Sequence, residues 1–251
     1  MNAPFPSSNT KADTVGHGRD PQEMVTESLE FLAQVAGYNQ WMADTLAPYV
    51  GQRVLEFGCG TGNMLKLFLD REHVIGVDLD PSLVDFCQRS FAEHDNCEFH
   101  CADVLRDEVE LGVQPDTVVS LNVIEHIEDD QSALRWMVDQ LPSGGRLVIL
   151  VPSHPLIYGE LDRAAGHHRR YTRRELVTKV EDSGCRVTHS RFFNAIGFFG
   201  WGLNSRLLKR RDIPARQALF YDRFVVPLQA RLERLVPPRF GQSLIVVGEK
   251  A

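Results

Sequence analysis

Three glycines at alternate positions, Gly58, Gly60 and Gly62, follow the apolar run "RVLEF" in a chain of 251 residues. Glycine lacks a Cβ, so such a run permits a tight strand-to-helix turn, close approach of a ligand, and free N–H groups aimed at it. The residues around the turn narrow the ligand. A dinucleotide fingerprint wants glycine or alanine where Asn63 stands, and a phosphate-binding loop wants a Gly-Lys-Ser/Thr that is absent here. Glu56, just before the turn, disfavours a pyrophosphate and suits an amino group. Asp78, at the end of the next apolar run, is placed to bind two ribose hydroxyls. A nucleoside with a cationic tail meets all of these conditions.

A second group of residues offers proton transfer and substrate binding. His126, in "NVIEHIEDD", is a candidate base or substrate contact; capping or packing of the following helix is the competing role. The segment from Ser153 to Thr172 crowds His154, Tyr158, His167, His168, Arg169, Arg170 and Tyr171 together. His126, His154, His167 and Tyr171 are therefore the candidate catalytic groups. Tyr158, His168, Arg169 and Arg170 are candidate acceptor contacts, the arginines suited to gripping a carboxylate or phosphate bidentately. Tyr38 and Trp41 are either lid aromatics over a cation or core residues. The stretch "FFNAIGFFGWGLNSRLLKRR", with Phe198 and Trp201, is expected to form an apolar acceptor wall or a dimer contact, and peripheral contact with an anionic membrane is the alternative.

The elements that must position these groups alternate. "RVLEF", "HVIGVD", "CEFHCAD", "DTVVSLN" and "GRLVILV" read as buried strands. Helices are expected in 21–50, in "GNMLKLFLD", after the Asp80 cap with Pro81, and around 131–141. Thr172 to Glu175 forms a capping box that opens another helix, which Gly184 ends. Strand-like "CRVTHSRFF" and "QSLIVVGEK" close the chain. Strand–helix alternation with continuous apolar strands predicts an α/β fold, a parallel sheet covered by helices on both faces.

"VLEFGCGTG", "GVDLD", "CAD" and "NVIEHIEDD" resemble, in order, the motifs of class I S-adenosylmethionine-dependent methyltransferases of the type 11/12 kind, over about residues 50 to 152. The resemblance implies a Rossmann-like doubly wound sheet, mostly parallel with an antiparallel C-terminal strand. It implies S-adenosyl-L-methionine as cofactor and S-adenosyl-L-homocysteine as product. Glu56 and the glycine turn would face the methionine part, and Asp78 the ribose. Asp103 would meet the adenine amino group, Leu79 and Val104 would sandwich the ring, and the backbone near Asn122 would reach the methionine amino group. Tyr38 would close over the cofactor. Related small-RNA and ubiquinone-pathway enzymes carry Glu-x-x-Glu-His where this chain has Asn122-Val-Ile-Glu125-His126; the missing carboxylate argues against a metal.

Composition limits the partners. With 27 basic and 34 acidic residues the net charge is −7, unsuited to a general nucleic-acid binder. The five cysteines show no CxxC pairing and read as reduced thiols in a cytoplasmic protein. The expected organisation is a disordered leader over 1–20 and a single domain over 21–251. Within it, 21–50 forms a helical lid, and 153–172 and 196–240 are acceptor-side insertions. The expected activity is O-methylation of a small molecule in secondary-metabolite or envelope biosynthesis, by a monomer or homodimer. A nitrogen acceptor, a lipid-linked or peptide acceptor, and a non-catalytic cofactor-binding subunit are the alternatives. An NAD-dependent oxidoreductase is disfavoured by Asn63 and Glu56.

Overall fold

The computed structural model describes residues 35–251. The expected leader and the first part of the helical lid lie outside the described residues. Seven strands form one sheet in the order β3-β2-β1-β4-β5-β7-β6. They are β1 (Arg53–Phe57), β2 (His73–Asp78), β3 (Cys97–Cys101), β4 (Thr117–Leu121), β5 (Arg146–Pro152), β6 (Cys185–Phe193) and β7 (Ser243–Lys250). The first five run parallel, and β7 pairs antiparallel with both β5 and β6. The expected fold class is the observed one.

The apolar strands bury both faces. Val54 joins one core layer with Leu46, Leu65, Val148 and Ile245. Leu55, its chain neighbour, joins the other with Ile75, Val118, Leu134 and Ile149. Successive side chains of a strand point to opposite faces, so a run without polar residues needs cover on both. Leu147 to Val151 of β5 are wholly buried. Each such side chain contributes about 1.5–3 kcal/mol of transfer free energy.

The described helices are α1 (Ala36–Leu46), α2 (Pro81–Ser90), α3 (Asp130–Asp139), α4 (Glu160–Ala164), α5 (Arg173–Glu181), α6 (Ala195–Gly202), α7 (Ala215–Phe220) and α8 (Val226–Leu235). Asp80 caps α2 by accepting from the Ser82 N–H at 2.8 Å. Thr172 caps α5 by accepting from the Glu175 N–H at 3.2 Å. Gly184 follows α5 with a φ of 98°.

The expected helix in "GNMLKLFLD" is instead a single 3-10 turn, Leu65–Phe68. Leu65 and Phe68 are both buried, and an i, i+3 pair lies on one face of a 3-10 turn. The short connection from the glycine turn to β2 buries its apolar residues in that way. Strand order reverses between β1 and β4, which opens a crevice at the carboxyl ends of those strands.

Candidate active site

The glycine turn follows β1 directly. Gly58, Gly60 and Gly62 have φ values of 76°, 54° and 73°, in the region that only glycine enters without strain. A Cβ on Gly58 would strike Val123 and one on Gly62 would strike Phe91, whereas Gly60 faces open space. The turn is therefore packed on two sides and bare at its middle. The Gly60 N–H donates to Asp78 Oδ2 at 2.8 Å, and the Asp80 N–H donates to Asp78 Oδ1 at 3.0 Å. Both oxygens of Asp78 are thus oriented at the end of β2.

Glu56 is buried beneath the turn, and its Oε2 has no partner among the described residues. Burial, and then the Cys87 thiol, push its carboxyl well above the usual range, against the pull of the Leu65 N–H. Leu79 is exposed at the rim, and Val104 is half-buried. Asp103 accepts from the Leu105 N–H at 3.2 Å and pairs with Arg106 at 3.4 Å. Asn122, just past β4, has a φ of 56° and donates its N–H to Leu150 O at 2.8 Å.

Beside Asn122 lies a cavity of about 510 Å3. Its floor is made by the strand ends at Asn122, Pro152 and Ser243, and its walls by α6, α7 and the chain around them. Tyr38, His167, Arg170 and Trp201 line it. Burial pushes the Tyr38 hydroxyl up to about 12. Trp41, by contrast, is a core residue packed on Phe193 with ring centroids 4.2 Å apart.

Asp162, on α4, organises the polar end of the cavity. Its Oδ1 accepts from His167 Nδ1 at 3.1 Å and Arg170 Nε at 2.6 Å. Its Oδ2 accepts from Trp201 Nε1 at 3.0 Å and the Gly159 N–H at 2.9 Å. Burial alone would raise this carboxyl. The His167 hydrogen bond, the Arg170 charge and the other donors outweigh burial and hold it down to about 2. With Nδ1–H given to a carboxylate, His167 keeps Nε2 as an acceptor.

Glu125 is completely buried, 4.0 Å from His167 Nε2, and neither of its oxygens has a partner among the described residues. Burial pushes its carboxyl up to about 8, although its own backbone N–H and the Arg170 charge oppose the shift. His126 meets His167 edge to face, with ring centroids 4.7 Å apart. Burial, and then the neighbouring His167, lower its proton affinity, which favours the neutral imidazole. Glu125, His126 and His167 bring ligand-type atoms within 4.8 Å of one another. Asn122 does remove one carboxylate, but His167 supplies a third donor from the far side of the chain.

Several expected site residues are elsewhere. Tyr171 is fully buried and donates its hydroxyl to Asp130 Oδ2 at 2.7 Å. Burial and Asp130 push its proton affinity up, so it packs the fold and is no acid or base. His154 stacks on Phe192 at 4.8 Å and meets Phe198 edge-on at 5.1 Å, away from the cavity lining. Phe198 belongs to that same aromatic cluster with Phe240, so it too does not line the cavity. Arg169 pairs with Asp130 at 3.1 Å and donates to Glu128 O at 2.9 Å, a contact that ties the loop to α3. Arg170 gives Nε to Asp162 and Nη1 to Ser153 O at 3.0 Å, while its buried Nη2 has no partner among the described residues. His168 is exposed and joins Glu125 only through its backbone N–H. Tyr158 donates its hydroxyl to His167 O at 2.8 Å and so braces the loop. Asp162, missed in the sequence, is the residue that assembles these groups.

Comparison with known proteins bears on this geometry. A family model described as a methyltransferase domain matches residues 24–190. A malonyl-[acyl-carrier protein] O-methyltransferase of Acetivibrio thermocellus is 32% identical over 111 residues, 43% of this chain and 38% of that protein. A tRNA U34 carboxymethyltransferase of Alteromonas mediterranea is 29% identical over 131 residues, 44% of this chain and 37% of that protein. This chain thus spans well under half the length of these curated relatives. A crystal structure of an S-adenosylmethionine-dependent methyltransferase from Clostridium acetobutylicum has a TM-score of 0.58 at 10% identity, covering 92% of this chain and 100% of that one; it shows likeness of fold. The chain belongs to the methyltransferase-domain family, and it shares the fold of the Clostridium enzyme.

Proposed function

We propose that this protein transfers the methyl group of S-adenosylmethionine to an oxygen of a small-molecule acceptor held in the cavity beside Asn122. The observation that carries the reading is one imidazole, His167, clamped by Asp162 and lining a cavity of about 510 Å3 that abuts the end of β4. That volume suits a small molecule with an apolar body. In this reading the turn at Gly58, Gly60 and Gly62 takes the methionine part, Asp78 the ribose, and Asp103 with Leu79 and Val104 the adenine.

Methyl transfer is an in-line displacement. A bond forms between the acceptor oxygen and the methyl carbon as the carbon–sulfur bond breaks, and sulfur keeps the electron pair. The acceptor proton passes to His167 Nε2, and S-adenosylhomocysteine remains. Cavity walls that hold the oxygen behind the methyl carbon supply most of the rate. A positioned base adds about 10²–10⁴-fold. The name of the Acetivibrio relative favours oxygen, and the tRNA-modifying relative is a reminder that the matched region does not carry acceptor identity. Secondary-metabolite or envelope biosynthesis is the setting that the sequence resemblance favours.

The test supplies methyl-labelled S-adenosylmethionine and purified protein to a host extract, then separates polar metabolites, lipids, protein and nucleic acid. Label in the polar-metabolite or lipid fraction is expected, released by mild base if the product is an ester. Label confined to protein or nucleic acid overturns the reading. His167→Ala should lower turnover by about 10²-fold or more while cofactor affinity holds.

A second reading rests on Glu125, His126 and His167. Two imidazoles and a carboxylate suit a transition metal better than magnesium, and the Asp162 bond to His167 has the form of outer-shell support. A cation there would act as a Lewis acid on the acceptor oxygen. Loss of turnover on chelation, restored by one divalent metal, would favour this version over the metal-free base.

A further inference from the structure

Helix α8 is built inside out. It buries Gln229 and Glu233, at 3% and 4% exposure, and turns Leu228, Leu232 and Leu235 to solvent at 62%, 56% and 79%. The buried pair is fully used. Gln229 Nε2 donates to Glu233 Oε1 at 2.7 Å, and Glu233 accepts the Asn194 and Ala195 N–H groups at the start of α6. The polar face of α8 therefore holds α6 in place, and its leucine face is left over. A helix on a water-facing surface has the opposite arrangement.

The leftover face continues along the chain. α7, a π-helical stretch over Tyr221–Val225, and α8 form one unbroken helical run of roughly 30 Å. Phe220, Phe224, Leu228 and Leu232 recur along it every fourth residue, all exposed. The Phe220 and Phe224 rings touch, with centroids 5.1 Å apart. α6 and the π-helical stretch after it, Leu203–Leu207, expose Phe199, Leu203 and Leu207 at the same interval. Thirteen of the sixteen exposed large apolar side chains among the described residues lie within 196–240. Patches of this size mark an interaction surface.

Charge selects the occupant. Residues 196–240 hold nine lysines and arginines against three acidic residues, in a chain that is acidic overall. Of those acids, Glu233 is buried, and Asp222 accepts the Gly37 and Tyr38 N–H groups. Arg216, Arg223, Arg231 and Arg234 are exposed along the same run as the apolar stripe. A second copy would bring like charge against like charge. An anionic bilayer accepts both features: apolar side chains enter the headgroup boundary, and arginines snorkel to lipid phosphates.

We infer that the helices between β6 and β7 dock this protein on an anionic membrane surface through the Phe224–Leu228–Leu232 stripe and its flanking arginines. No described helix is long and apolar enough to cross a membrane, so the contact is peripheral. Phe220 belongs both to the stripe and to the cavity lining. Where that cavity takes the acceptor, as proposed above, the acceptor is an amphiphile entering from the bilayer. Docking itself does not depend on that reading.

The experiment is flotation of the full chain with vesicles of phosphatidylcholine and phosphatidylglycerol at 7:3, against phosphatidylcholine alone. It is run without cofactor or acceptor, so its result is separate from that of the methyl-transfer assay. Binding to the anionic vesicles is expected, several-fold weaker on neutral ones and weaker as salt is raised. The triple variant Phe224→Ser, Leu228→Ser, Leu232→Ser changes only exposed side chains. It should lose at least tenfold in bound fraction while its circular dichroism melt and its calorimetric affinity for S-adenosylmethionine stay as in the parent. Parent protein that stays soluble with both vesicles overturns the inference. So does a concentration-dependent dimer, abolished by the triple variant, without vesicle binding; that outcome assigns the face to a second copy.

Discussion

At the carboxyl ends of β1 and β2 a site is made largely of backbone: three glycines in the left-handed region, a free middle glycine, and one carboxylate oriented by two N–H groups. The neighbouring cavity is made of side chains. There, one carboxylate gathers an imidazole, a guanidinium, an indole and an N–H from four separate positions. The first construction tolerates change in everything except its glycines and strand ends. The second stands or falls with a single hub. On the proposed reading, such an asymmetry would let one scaffold keep its cofactor while the acceptor side is rebuilt by changing a connection and two helices.

The largest effect that tests this contrast comes from Asp162→Ala. It leaves the Arg170 guanidinium buried without its ion partner and strips His167 Nδ1 and Trp201 Nε1 of theirs. Removal of one member of a buried ion pair costs about 3–5 kcal/mol. Urea denaturation should register a loss of that order. If stability drops by less than about 1 kcal/mol, the acceptor side has no hub and the contrast fails.

Asp78→Ala probes the other construction and should cost folding little, because the half-buried carboxylate supports only two loop N–H groups. Its expected effect is on cofactor affinity, a tenfold to hundredfold loss, about 1.5–3 kcal/mol for hydrogen bonds to a charged group. Calorimetric titration with S-adenosylmethionine reads it. An unchanged affinity would remove Asp78 from the cofactor site and leave the glycine turn to bind alone.

The same contrast explains what was legible in the sequence. Gly58, Gly60, Gly62, Asp80 with Pro81, and Thr172 act on chain neighbours, so spacing reveals them. Their local readings agree with the observed turn, caps and strands. Asp162 acts on Trp201, 39 residues away, and its carboxylate looks in the sequence like any acid in a polar loop. Tyr171 and Arg169 sat beside the histidines in sequence, yet strand-end geometry sends them to Asp130 under α3. Adjacency in a loop did not show which side chains turn inward. The reversed polarity of α8 was hidden for a related reason: Glu233 is interior because Asn194 and Ala195 present N–H groups to it, and Gln229 because Glu233 and the Tyr221 hydroxyl bond to it. The "GNMLKLFLD" pattern failed because apolar periodicity over so short a stretch is met equally by one 3-10 turn.

Glu125 sharpens the comparison further, because it is a buried carboxyl in the turn just past β4, 4.0 Å from His167 Nε2. Its carboxyl, pushed up to about 8 by burial, holds a proton that the unfolded chain releases near pH 4.3. The folded state therefore binds the extra proton between those values. The stability this contributes is complete below about pH 4.3 and is lost as pH rises through about 8. The slope is at most about 1.4 kcal/mol per pH unit. Glu125→Gln carries no such proton, so its melting temperature should depend less on pH between 6 and 8, and its advantage over the parent should grow toward pH 8. A divalent cation held by Glu125, His126 and His167 would favour the ionised carboxylate and flatten the parent's slope in the same way. Melts of the parent with chelator and with added metal therefore separate the two readings of the site. A steep slope that metal leaves untouched speaks for a protonated carboxyl beside the His167 base, and a slope that appears only with chelator speaks for a bound cation.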